Sequence, residues 1–259
     1  MRSLENLQVL RSPMYRTSNP ALNDSTFTIQ DLVQEKMTIQ GVAEKGFITL
    51  AVMLITGFSV FGLFVTGNLE LAFMLSIVGW IAGFIFFLVM IFTGLSDNPI
   101  AILTYAALQG LFLGGLTTMF EAYYPGIAIQ AFVLTAGVFG TMLVIYRMGL
   151  IPVNDNTRII LASAMGGVFI IYMLTFILSF AGINIPYIHG NGAIGILFSL
   201  FVIGLGAYCL ACDFDFIEHG VENGAPKSYE WRAVFGLLVT LVWIYLEMLR
   251  LLAKLQSRR

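Results

Sequence analysis

Charge is what this sequence has least of. Only 11% of its 259 residues are Asp, Glu, Lys or Arg, while 58% are hydrophobic. A soluble domain carries about a quarter charged and about half apolar residues. The length would fill one or two soluble domains, but such a surface could not be held in water, so the excess apolar area must face lipid. The net charge of −2 includes no basic stripe, which excludes a nucleic-acid interface. Histidine is nearly absent. His189 and His219 both fall in connecting segments, so no apolar stretch holds an imidazole base, and no G-x-G-D motif supplies a protease aspartate. An intramembrane enzyme is therefore not expected, nor is a bound cofactor. A retinal protein needs a mid-span Schiff-base lysine, and the seventh apolar stretch offers only Lys254, at its end. Cysteine is equally sparse. Cys209 and Cys212 are spaced C-x-x-C within one apolar stretch, without the second Cys/His pair that a zinc tetrahedron needs, so no metal site is assigned. A cleavable leader is missing too. Met1–Gly46 is polar and the first apolar run starts only at Phe47, as expected for an uncleaved signal anchor.

What is present is a set of long apolar runs. A spanning helix needs about 20 mostly apolar residues, and seven runs qualify: 47–67, 70–93, 99–120, 127–147, 158–181, 193–217 and 233–253. They predict an all-α integral membrane bundle, residues 47–255, behind a polar cytoplasmic segment, residues 1–46. Short links carry the expected turn residues: Gly67-Asn68, Asp97-Asn98-Pro99, Tyr124-Pro125-Gly126, Pro152 through Asn156, and Gly190-Asn191-Gly192. Lys and Arg set the orientation. Met1–Gly46 holds Arg2, Arg11, Arg16, Lys36 and Lys45. The link after the fourth run holds Arg147 and Arg158, and the link after the sixth holds Lys227 and Arg232. The other four links hold none. This asymmetry predicts a cytoplasmic N-terminus, for a chain expected in the cell (inner) membrane. The tail, with Arg250, Lys254, Arg258 and Arg259, then either lies outside with its cations snorkelling at the interface, the favoured reading, or follows a last helix that does not cross completely. Asn23-Asp24-Ser25 matches a glycosylation acceptor, but it falls in the segment placed in the cytoplasm.

Within the runs, Gly110 and Gly114 sit four apart, as do Ala162 and Gly166, a spacing that lets helix backbones approach closely. Charges are rare there and each is a functional candidate by default. The first five runs hold none at mid-membrane. Asp213 lies near the inner end of the sixth run, and Glu247 lies in the seventh, three residues before Arg250, a spacing that suits an i,i+3 salt bridge. An apolar environment penalises the charged form of such carboxylates, so they can sense protons or hold a hard cation such as Ca²⁺. Asp215, Glu218 and Glu222 share one helical stripe. Asp213 is about 200° away from Asp215 around the helix, which suggests Asp213 in the bundle and the stripe at a cytoplasmic acidic mouth.

The last two runs resemble a known family. Cys212-Asp213-Phe214-Asp215-Phe216-Ile217 is similar to the F-D-T-Q-x-I stretch of the transmembrane Bax inhibitor motif family, with Asp213 on its aspartate. Ile244-Tyr245-Leu246-Glu247-Met248-Leu249 is similar to that family's L-Y-L-D-I-I motif, with Glu247 on its second aspartate. Arg16-Thr17-Ser18-Asn19-Pro20, and the stretch from Asp213 through Gly224-Ala225-Pro226-Lys227, resemble a bacterial subgroup. The resemblance implies six helices wrapped around a central last helix. It also implies a pH-sensitive calcium leak in which two acids form a proton-sensitive latch, though some members are described as regulators of cell death or of a membrane protease. This chain departs from the family in three ways. The second acid is Glu. No arginine stands in the second run as a counter-ion. And the 34 positions between Asp213 and Glu247 exceed the family's separation, which moves Glu247 about 13 Å along the helix axis and argues against direct contact.

Two functions follow as expectations. The first is a cation leak, with Ca²⁺ as the transported ion, gated by protonation of Asp213, Glu247 or Asp215. The second is a non-transporting regulator that binds a membrane protease or other membrane partner through its polar N-terminal segment. The topology has its own test. In a background lacking Cys209 and Cys212, a cysteine at position 20 should be labelled only after the membrane is permeabilised, and labelling from outside intact cells reverses the orientation.

Overall fold

The computed structural model describes residues 35–180 and 190–258, which form seven helices. They are α1 (Ile39–Val65), α2 (Leu69–Thr93), α3 (Pro99–Tyr123), α4 (Ile127–Arg147), α5 (Asp155–Phe180), α6 (Ala193–Glu222) and α7 (Tyr229–Gln256). A 3₁₀ turn at Leu95–Asp97 lies between α2 and α3. All seven are long and apolar enough to cross a membrane, and the chain is a multi-pass membrane protein. Arg16–Pro20, the Asn23 acceptor, Arg2, Arg11, His189 and Arg259 lie outside the described residues.

Local chemistry fixes where each helix begins, because the first backbone N–H groups of a helix need partners. Thr38 caps α1, its Oγ1 accepting from Gly41 N at 2.9 Å. Asn98 caps α3 through Ile100 N and Ala101 N, with Pro99 as the first helical residue. Glu121, on the last turn of α3, accepts from Gly126 N and Ala128 N and so caps α4 from its neighbour. Asn154 and Thr157 cap α5 reciprocally. Gly94 ends α2 at φ +71°, a left-handed conformation that glycine adopts without steric cost. The caps also explain the boundaries. α1 starts eight residues ahead of the apolar run at Phe47, because Thr38 caps a polar first turn in which Gln40 donates to Glu44.

The helices alternate in direction across short links, as in an up-down bundle. One end of the bundle gathers the starts of α1, α3, α5 and α7 and the ends of α2, α4 and α6. α7 is central. Of its apolar stretch 56% is buried, against 11% for α1 and for α5, and no residue from Leu237 through Glu247 is exposed. Its first half packs into a cluster built mainly from α1, α2 and α3, where Tyr105 meets Phe235 edge-on at 5.3 Å and Phe87 lies 6.0 Å from Phe235. Its second half packs against α4 and α6 through Ile244, Met248, Leu249 and Leu252. α5 reaches α7 through Tyr172, so each of the six other helices touches the last one.

The two small-residue pairs have different roles. At Gly114 an added Cβ would lie 2.9 Å from Gly57 Cα, so α1 and α3 meet backbone to backbone there. At Gly166 an added Cβ meets nothing within 4 Å. The Ala162–Gly166 pair faces outward and joins no helices among the described residues, where α5 packs only against α6 along its backbone. Gly114→Ala should therefore cost about 1–3 kcal/mol of stability by overpacking, and Gly166→Ala should stay within about 0.5 kcal/mol, both read from thermal unfolding in detergent.

Candidate functional site

α6 and α7 carry the acids expected from sequence, and the bundle separates them. Asp213 turns toward α7, where Thr240 Oγ1 donates to its Oδ2 at 2.8 Å. Asp215, 200° around the helix, turns toward α5 and is ion-paired with Arg158. The His219 ring also lies 3.3 Å from its Oδ1, one turn on. Glu218 turns toward α4 and accepts from Tyr146 Oη at 2.5 Å. Glu222 is exposed. The acidic stripe does not line one mouth. Asp215 is buried, 5% exposed, because the α5 guanidinium closes over it, so three consecutive acids of α6 address three different helices.

Glu247 stands apart from all of these. Thr240, the partner of Asp213, lies seven residues earlier on α7, about 10 Å along the axis, and Ile244 between them seats on Gly206 of α6, where an added Cβ would lie 2.8 Å from its Cγ1. Glu247 Oε1 accepts from Tyr172 Oη at 2.8 Å and from Arg250 at 2.6 Å. Its Oε2 is buried without a hydrogen-bond partner among the described residues. The i,i+3 pair with Arg250 is thus present and shares Glu247 with a tyrosine from α5. Lys254 is also drawn inward, donating to Gly195 O and Ser199 Oγ, each at 2.9 Å. Two of the four tail cations find partners within the bundle instead of snorkelling. α7 is also an unbroken helix of 28 residues, about 42 Å long and ample for a core of about 30 Å.

Two further ion pairs, at the end of the bundle where α7 begins, were not singled out by the sequence. Glu230 is fully buried. It accepts from Thr38 N and Thr38 Oγ1 at 2.9 and 3.0 Å and pairs with Lys45, so the first turn of α7 secures the start of α1. Arg232 grips both oxygens of Asp97 at 2.5 and 2.8 Å and stacks over Tyr229. A first-turn acid on the least lipid-exposed helix was the available signal for Glu230, and a lone tyrosine in an otherwise apolar run was the signal for Tyr172. Cys209 and Cys212 are free thiols, with Cys209 Sγ 3.1 Å from Met165 Sδ of α5.

The geometry separates two kinds of carboxylate. Asp97, Asp215, Glu230 and Glu247 each face a Lys or Arg. Asp213 faces a neutral hydroxyl and has no cationic partner among the described residues. α5 is tied to the rest of the bundle by the paired acids, Asp215 through Arg158 in its first turn and Glu247 through Tyr172 in its second half. Removing one member of such a pair strands a charge in a poorly solvated place. Arg158→Ala should destabilise the protein by about 1–3 kcal/mol. Asp215→Asn added to it should restore part of that loss, a coupling readable in a double-mutant cycle of unfolding midpoints; strictly additive effects would show that the pair contributes nothing.

No curated protein and no solved structure matches the chain significantly. A family model described as Bax inhibitor 1 like matches residues 19–257, nearly the whole chain. The match spans all seven helices and both acid-bearing motifs of α6 and α7, and the chain therefore belongs to the Bax inhibitor 1 like family of membrane proteins.

Proposed function

We propose that this protein is a proton-gated cation leak of the cell membrane, not an enzyme, with Ca²⁺ as the conducted ion, a cytoplasmic N-terminus and Asp213 as the group that titrates. The observation that carries this reading is the partner set of Asp213. The buried carboxylates Asp215, Glu230 and Glu247 face cations, which hold their charge in place. Asp213 has only the Thr240 hydroxyl across the helix interface, with Cys209 and Cys212 on its own helix and the Asp215–Arg158 pair on the opposite face of α6. A proton arriving at Asp213 removes a charge that no cation balances, and with it the Thr240 bond in its charge-assisted form. That bond joins α6 to α7 beside the Ile244–Gly206 contact, an apolar barrier between the levels of Asp213 and Glu247. The sparsely packed α5 is the wall with room to move when the seam loosens. Glu247, shielded by Arg250 and Tyr172 about 10 Å away, serves as an anchor for α5 in this scheme.

Purified protein in liposomes, assayed for Ca²⁺, Na⁺ and K⁺ flux from acid to neutral pH, tests the reading. Wild-type Ca²⁺ flux should change about tenfold or more over that range, and Asp213→Asn should fix it at one level, the response expected when a single gating group loses a titration step of about one unit or more. Glu247→Gln should have the smaller effect on the pH profile. If Glu247→Gln abolishes the pH response while Asp213→Asn leaves it intact, the assignment is reversed. If no ion passes at any pH, the leak reading fails and a non-transporting regulator of a membrane partner takes its place.

A further inference from the structure

The flank of the bundle carries a site of its own. α1 and α4 lie on either side of α7 without contacting each other. Between them, α6 and α7 form the floor of a lateral groove of about 370 Å³, within the ~300–1,000 Å³ typical of ligand sites. Its walls are apolar for most of their length, with Phe47 on one side and Phe139 on the other. Its charged groups gather at one end, where α1 begins and α4 stops. There Arg147, the last residue of α4, is exposed and has no hydrogen bond or ion pair among the described residues. Glu218 lines the same end, half-buried, with Oε2 taken by Tyr146 Oη and Oε1 without a donor among the described residues.

An apolar trough would take any lipid tail. A trough whose headgroup end presents one guanidinium and one carboxylate, each with bonding capacity to spare, selects by charge. A phosphate complements Arg147 with bidentate geometry. A primary ammonium, with three N–H donors, complements the free oxygen of Glu218. Phosphoethanolamine and phosphoserine headgroups both carry the two groups a few bonds apart, but phosphoserine adds a carboxylate that Glu218 repels. We propose that the groove between α1 and α4 binds one phospholipid with a phosphoethanolamine headgroup, its acyl chain between Phe47 and Phe139, its phosphate on Arg147 and its ammonium on Glu218. A phosphatidylglycerol headgroup would bring no cation to Glu218, and a phosphatidylcholine headgroup would bring a cation with no N–H to donate. The site does not use Asp213 or Glu247, so it stands whether or not the protein conducts ions.

Gly46 provides a way to close the groove without breaking the fold. It lines the α1 wall, and an added Cβ meets only Val234 Cγ2, at 4.0 Å, so Gly46→Leu fills space that no backbone occupies. Native mass spectrometry of the full-length protein, released from membranes in mild detergent, should show one retained phosphatidylethanolamine that Gly46→Leu removes. After delipidation, titration with phosphatidylethanolamine, phosphatidylcholine and phosphatidylglycerol should favour the first by about tenfold, the worth of one charge-assisted hydrogen bond. Arg147→Gln should weaken all three lipids, whereas Glu218→Gln should erase the preference among them. Equal retention of the three lipids, retention unchanged in Gly46→Leu, or loss of a bound polypeptide instead of a lipid in that variant would each overturn the proposal.

Discussion

Hydrocarbon offers a charged group no partner, and that constraint shapes this bundle more than any single contact. Each charge on the buried faces of the helices must be answered by another part of the protein. The answers converge on the two last helices: Glu230 takes Lys45, Arg232 takes Asp97, Thr240 takes Asp213, Glu247 takes Arg250 and Tyr172, and Asp215 takes Arg158. Apolar packing cannot select this arrangement by itself, since lipid tails are as apolar as the leucines and phenylalanines they touch. Polar pairs give the bundle its register, and close glycine contacts then let the backbones settle.

The two sides of the bundle are held by different means. α1, α2 and α3 meet at glycines and bury an aromatic cluster against the first half of α7, a contact that spreads over many atoms and tolerates little change. α5 buries little more than Leu161 and Val168 and relies on discrete polar ties at Arg158 and Tyr172. A helix held that way can be released by changing a few groups, whereas the glycine-packed side cannot. Rigidity and mobility are thus assigned to opposite faces of one central helix.

Much of this could be read from the residues alone. Seven apolar runs appear as seven helices, because the length of a span is set by the bilayer and the apolar content of each run is unambiguous. Asp213, Asp215 and Glu247 stand out as acids where acids are scarce, and their spacing already argued against a direct contact between the first and the last. The partners were hidden for a physical reason. Asp215 and Arg158 are 57 positions apart, Glu247 and Tyr172 are 75 apart, and Glu230 and Thr38 are 192 apart. Pairings of that range depend on how helices pack, which no local pattern encodes. The stripe of Asp215, Glu218 and Glu222 shows the same limit. Helical spacing places them on one side of α6, but α5 takes Asp215, α4 takes Glu218 and Glu222 is left exposed.

The position of Glu230 and Arg232 in the chain has a consequence for biosynthesis. Both belong to α7, yet their partners Lys45 and Asp97 lie on segments synthesised long before it. Until α7 is delivered to the membrane, the nascent protein carries those charges, and Asp213, without their mates. The glycine contacts among α1, α2 and α3 and the Arg158–Asp215 pair do not need α7, but Lys45, Asp97 and Asp213 stay without their partners until it arrives. When α7 enters the middle of the group, it completes the pairings with Lys45, Asp97 and Asp213 together. A chain interrupted before α7 is complete displays unmatched charges within the bilayer, the kind of signal by which membrane quality control can distinguish a finished molecule from an unfinished one.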